Sequence, residues 1–246
     1  MKLGKKPAVY SRKTLRLSDY LTALPPVPAD NFGHETLVTQ PWGVLGNDAL
    51  GDCAIAGSGH ETMLWNAEAG QQVAFSDANT IADYSAITDY NPADPATDQG
   101  SIVLDVLNYR RNTGLLDAAG VRHKIGAFVS LEVGNLDHLY AALYLFGAVG
   151  IGINFPGSAM DQFNDGQPWE VVPGAIVEGG HYVPLVAKRG NLLCVTWGRL
   201  QAVTETFLMT YMDEAYAMLS PEMLSGGKSL EGFDLSALQA DLQALS

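Results

Sequence analysis

The chain has 246 residues, of which 27 are acidic and 14 basic, for a formal charge of −13. That balance excludes a protein whose affinity comes from neutralising nucleic-acid phosphates with Lys and Arg. Apolar residues make up 47% and charged residues 17%, enough to fill a core and too apolar for intrinsic disorder.

The basic residues are unevenly placed. Lys2, Lys5, Lys6, Arg12, Lys13 and Arg16 precede the first acid, Asp19, so an arm of charge +6 is attached to a body of −19. Such an arm can reach a phosphate or carboxylate surface on a larger assembly, or lie over the acidic body of its own molecule; the second is expected. It has no apolar core of signal-peptide length, so secretion by that route is not expected and a cytoplasmic location is.

Pro25, Pro26, Pro28 and Pro41 argue for extended chain wrapping the body. From Cys53 the spacing of Ala54, Ile55, Ala56, Met63, Leu64 and Trp65 predicts a helix that stops at Gly70, with Asp52 as its N-cap. Further helices are expected at 78–90, 101–113 and 135–146. A strand is expected at Val149–Asn154, and two more at Tyr182–Ala187 and Leu192–Trp197 joined by a turn through Gly190. The apolar run Leu139–Phe155 is broken by glycines and falls short of the ~20 residues that cross a bilayer, so no membrane partner is expected. Helices first and antiparallel strands later predict an α+β protein, a helical lobe against a sheet lobe with a cleft between.

The two cysteines, Cys53 and Cys194, are expected to be free thiols. Cys53 opens a helix, where unpaired N–H groups and the dipole favour thiolate, although the neighbouring Asp52 carboxylate opposes it. Of His34, His60, His123, His138 and His181, His60 lies too far along the same helix to reach the sulfur. His181, after Gly179-Gly180 and at the head of an apolar strand, is the better base. Cys194, among Leu192, Leu193 and Val195, reads as core. The oxygen-bearing side chains Asp89, Asn91, Asp94, Asp98 and Asp105 do not have EF-hand spacing and read as a solvated acidic loop. Neither metal nor cofactor is expected.

In order along the chain, Asn47, Gly51 and Cys53, then Asp98-Gln99-Gly100, then Gly179-Gly180-His181-Tyr182-Val183, then Val195-Thr196-Trp197-Gly198, resemble the papain-like cysteine peptidases over about residues 40–200. The resemblance implies a bacterial or phage-type member with a papain-like two-lobe fold, in which an antiparallel sheet or barrel forms the second lobe. It further implies Cys53 as nucleophile, His181 as base and then acid, and Asn47 with the Cys53 N–H as oxyanion hole. Trp197 would shield the histidine; Thr196, Gly51 and Gly180 would support it, and Gln99 and Gly100 would border the substrate cleft. Val195 stands where that family carries the Asn that orients the imidazole; Thr196, a backbone carbonyl, or nothing takes over that task.

The domain reading is a basic arm and wrapping segment at 1–40 and one catalytic domain at 41–246. Within it a helical lobe covers about 47–130, a sheet lobe about 131–220 and a C-terminal extension about 201–246. With only 52 residues before Cys53, maturation of a long inhibitory pro-region is not implied. The expected activity is cleavage of a peptide or other amide bond through a thioester acyl-enzyme, with a peptide or protein as partner. The alternatives are an acyl or amide transferase using the same Cys–His pair, and a catalytically impaired binding protein.

Overall fold

The computed structural model describes residues 1–12, 14–20 and 24–224; Lys13 of the arm and residues 225–246 of the expected extension lie outside them. In chain order the strands are β1 (Leu15–Arg16), β2 (Asn31–Gly33), β3 (Leu115–Leu116), β4 (Arg122–His123) and β5 (Ala127–Ser130). They continue with β6 (Val149–Pro156), β7 (Val177–Arg189), β8 (Asn191–Thr196), β9 (Arg199–Val203) and β10 (Met212–Leu219). The helices are α1 (Cys53–Glu68), α2 (Asp77–Thr88), α3 (Val103–Asn112), α4 (Leu136–Phe146), α5 (Gly157–Asn164) and α6 (Glu205–Tyr211).

One sheet runs β1-β5-β10-β6-β7-β8-β9, with β2 on the outer part of β7; it is antiparallel except for the β1–β5 pair. β3 and β4 form a separate hairpin. The sheet path among the described residues does not close, so the second lobe is the sheet alternative rather than a barrel.

The helix that carries Cys53 is buried from Cys53 through Ala67, as expected of a helix enclosed on all sides. Three of its polar residues are satisfied within the helix: Ser58, Thr62 and Asn66 each donate to the carbonyl four residues back, at 2.7, 2.9 and 2.9 Å. Gly57 lets β7 approach closely, because a Cβ there would stand 2.8 Å from the Tyr182 ring. Deeper along the helix, Glu61 pairs with Arg110 of α3 and accepts from the Tyr182 hydroxyl at 2.8 Å, which ties α1, α3 and β7 together. Trp65 donates to the Phe146 carbonyl at 2.9 Å and fixes α4 to the same helix.

The expected elements are present with β7 extended at both ends. Residues 201–219, which the domain reading gives to both the sheet lobe and the extension, supply part of β9, α6 and β10, and β10 lies inside the sheet between β5 and β6. Its sequence, Met-Asp-Glu-Ala-Tyr-Ala-Met-Leu, gives no period-2 signal; burial between two neighbours decides its conformation. No helix among the described residues is long and apolar enough to cross a membrane.

Candidate active site

Cys53 is the first residue of α1. Asp52 occupies the N-cap position, yet its side chain makes no capping bond, contrary to expectation: the carboxyl is buried with both oxygens unpartnered. Burial pushes Asp52 up to about 8, so at neutral pH it is largely uncharged and opposes a thiolate less than its sequence position implies. Cys53 itself is also buried. The backbone N–H groups of Tyr182 and Gly4 point at its sulfur and favour thiolate, but desolvation outweighs them and the thiol is pushed up to about 11. Its position at the head of a helix therefore does not activate Cys53 in this state, because the group is removed from water.

His181 lies on β7, opposite Ile153 of β6, and its successor Tyr182 is the residue whose N–H meets the Cys53 sulfur. Nε2 stands 2.8 Å from Thr196 Oγ1, while Nδ1 is buried and has no hydrogen-bond partner. Burial alone pushes the ring down to about 3, so the imidazole is neutral. In this state thiol and imidazole form no ion pair.

Trp197 stacks on His181, with centroids 4.4 Å apart and planes 18° from parallel. Phe155, Phe163 and Trp169 pack edge-on around the indole at 5.7, 4.8 and 6.4 Å. Trp197 has φ of +46°, in the left-handed region that a bulky side chain adopts only when its surroundings over-determine it. That aromatic box holds the indole over the imidazole. Val195 is buried in the core of β8, and the neighbouring Thr196 carries the contact to the imidazole.

The slot in front of Cys53 is filled by the chain's own arm. Lys2 donates to the Asn47 carbonyl at 3.0 Å, and Asn47 Nδ2 donates to the Lys2 carbonyl at 3.2 Å and to that of Leu50 at 2.9 Å. Gly4 and Lys5 donate to the Gly180 carbonyl at 3.1 and 3.0 Å. On the other side Ser101 donates to the Gly4 carbonyl at 2.8 Å, and Lys6 to the Ser101 carbonyl at 2.9 Å, so the arm pairs in parallel with Ser101. Lys2 also pairs with Asp98, and Lys5 with Asp213 and Glu214 at 2.9 and 3.2 Å.

The walls of the slot are backbone. A Cβ would stand 2.0 Å from the Gly4 carbonyl oxygen if placed on Gly100, and 2.2 Å from that of Lys5 if placed on Gly180. Gly51 lies against Gly4 itself, 3.2 Å from the Gly4 Cα by the same measure. The arm thus presents an amide N–H, not a carbonyl carbon, to the sulfur. Gln99, also expected at the cleft, is exposed and its amide caps the Ala96 carbonyl at 2.7 Å.

Three of the other histidines are engaged elsewhere, and His138 has a buried Nδ1 without a partner. His60 bonds the Gly43 carbonyl at 3.0 Å, His34 pairs with Glu68, and His123 sits between Asp117 and Glu222. Cys194 is buried in β8. Among the described residues no group of three or more His, Cys, Asp or Glu side chains is placed to hold a metal ion. The sequence did not point to Ser101, Asp213 and Glu214 as cleft residues. The signal available was the charge segregation, a basic arm on an acidic body, which identifies the type of partner but not its place.

No family model matches the chain and no curated protein matches it in sequence. Solved structures match it in shape. Xylellain, a cysteine protease from Xylella fastidiosa, superposes with a TM-score of 0.64 at 15% identity, over 88% of this chain and 95% of that one. Digestive procathepsin L 3 of Tenebrio molitor larval midgut gives 0.60 at 14%, over 84% and 74%. Procathepsin B S9 from Trypanosoma congolense gives 0.56 at 12%, over 89% and 86%. The α1 helix with Cys53 at its head, set against the sheet that carries His181, belongs to a papain-like fold.

Proposed function

We propose that the protein is a thiol hydrolase that cleaves a peptide or other amide bond through a thioester at Cys53, and that residues 1–6 cover its cleft in the resting state. The observation that carries this reading is His181: a buried imidazole bound at Nε2 by Thr196, clamped by Trp197, with Nδ1 left without a partner beside the nucleophile's helix. His60 and His138 also bury an Nδ1 without a partner; what sets His181 apart is its place next to Tyr182, whose N–H meets the Cys53 sulfur.

With Thr196 Oγ1 accepting the Nε2 proton, Nδ1 is the basic atom and takes the Cys53 proton as the sulfur attacks the substrate carbonyl. The C–S bond forms as the carbonyl oxygen becomes an oxyanion facing the Cys53 N–H and Asn47 Nδ2. Asn47 already donates to a peptide carbonyl, that of Lys2, so its amide is oriented for the task. Nδ1–H then protonates the departing amine as the C–N bond breaks. Water, deprotonated by the same nitrogen, releases the acid and restores the thiol. The two lobes, about 47–130 and 131–220, supply the nucleophile and the base respectively.

Because the arm fills the slot, activity is to be measured on a full-length chain with the arm weakened. Lys5→Glu places a third carboxylate against Asp213 and Glu214 and disfavours the covered state. Blocked fluorogenic peptides are expected to turn over with this variant, and not when Cys53→Ala or His181→Ala is added. No turnover by Lys5→Glu above its Cys53→Ala control contradicts the hydrolase.

A further inference from the structure

Lys5 is the deepest residue of the arm. Its side chain is 1% exposed, its ammonium lies against Asp213 and Glu214, and it also donates to the Lys6 carbonyl at 3.0 Å. The pocket that takes it has three built features. Gly152 forms one wall, where a Cβ would stand 2.1 Å from the lysine Cε and 2.6 Å from the Glu214 Cγ, so only glycine leaves the passage open. The pairing of β10 with β6 slips between Met212 and Glu214, an irregularity that lets two successive residues, which a regular strand would aim to opposite faces, both reach Lys5. Tyr216 donates to the second oxygen of Glu214 at 3.2 Å and fixes the carboxylate, while Tyr10 of the arm bonds the Asp213 backbone carbonyl.

Any extended peptide threading the same slot meets the same Ser101 and Gly180 backbone groups, and one of its side chains falls where that of Lys5 now lies. We infer that this pocket selects a basic side chain, Lys or Arg, at the substrate position paired with Ser101, and that Lys5 is its internal stand-in. The inference rests on the cleft being the substrate site proposed above. Glu214 is 2% exposed on its side chain, so a neutral occupant leaves a carboxylate desolvated and unpaired, and an acidic occupant adds repulsion. Selection arises more from the penalty on wrong side chains than from attraction to the right one.

Binding tests the pocket without relying on catalysis. Blocked hexapeptides of Ala and Gly, with Lys, norleucine or Glu scanned through each position, are titrated by calorimetry into the full-length Lys5→Glu, Cys53→Ala protein. At one position the Lys peptide is expected to bind at least tenfold more tightly than the norleucine peptide, with the Glu peptide weakest. Adding Asp213→Asn and Glu214→Gln brings the Lys-to-norleucine ratio to within twofold. A ratio near one before those changes, or a tenfold ratio surviving them, overturns the pocket.

Because the acidic variants alter a buried cluster, a second measurement uses the tethered side chain itself. In otherwise unaltered protein, Lys5→Arg is expected to keep Cys53 protected from iodoacetamide, while Lys5→Met speeds its labelling at least tenfold. Equal labelling of the two overturns the inference. Lys-selective binding without hydrolysis upholds the pocket and removes the hydrolase; hydrolysis with no preference for basic peptides does the reverse.

Discussion

Two buried polar clusters flank α1, and they are built on opposite plans. Around Glu61 every charge has a counterpart: the Arg110 guanidinium on one oxygen and the Tyr182 hydroxyl on the other. Around Cys53 partners are missing, with Asp52, His181 Nδ1, Trp197 Nε1 and Ser101 Oγ all buried without a hydrogen bond. Leaving such groups unpaired costs about 1–3 kcal/mol each, so a fold selected only for stability would not gather them at one end of its central helix. The difference separates what holds the molecule together from what the cleft is for.

That contrast makes the two clusters separable by mutation. The largest effect on stability is expected at the paired cluster. Arg110→Met leaves Glu61 buried and uncompensated, and urea unfolding should show a loss of about 3–5 kcal/mol. Stability lowered by less than 1 kcal/mol would mean that Glu61 is simply protonated and that the pair does not hold α1 to α3. In the Lys5→Glu background, Cys53→Ala is expected to abolish turnover while the unfolding midpoint moves little. A comparable collapse of stability would place Cys53 with the structural cluster instead.

An intermediate effect is expected at Thr196. Thr196→Val keeps the shape and removes the oxygen facing Nε2, at a cost of about 1–2 kcal/mol, read as a roughly five- to thirty-fold fall in kcat/KM. Thr196→Ser should restore most of it. If valine is harmless and serine makes no difference, the imidazole is oriented by its aromatic clamp alone.

The most pH-dependent effect is expected at Asp52. Its folded pKa of about 8 lies above the ordinary carboxylate value, so the native state is favoured below the unfolded pKa. The advantage is lost as pH rises toward 8. Asp52→Asn removes this dependence, so the variant should gain stability relative to the parent as pH rises from 4 to 8. His181 has the opposite sign: pushed down to about 3, it contributes stability above the ordinary histidine value that is lost as pH falls. A stability difference between Asp52→Asn and parent that is flat from pH 4 to 8 would show that Asp52 is charged throughout.

Much of this was legible before any coordinates. Asp52-Cys53 followed by an Ala- and Gly-rich apolar run specifies a deep helix with a thiol at its head, and Gly179-Gly180-His181 ahead of an apolar run specifies a ring at the cleft edge of a strand. These signals are local. The identity of the residue facing His181 was not legible, because in a strand one residue of register exchanges the two faces, and Val195 and Thr196 differ by that single step. The arm was legible as basic but not as an occupant, since its contacts join residues 96 and 208 positions apart. The protonation state of Cys53 is not legible for the same reason: helix position favours thiolate, and the segment that dries the site lies far away along the chain.

If Cys53 and His181 act together once the arm is displaced, the rate of thiol alkylation reports it. At pH 6, iodoacetamide should modify Cys53 of the Lys5→Glu protein far faster than Cys194, and His181→Ala in the same background should erase the difference. Slow and equal labelling of both cysteines in Lys5→Glu would contradict the claim and leave a papain-like fold without its chemistry.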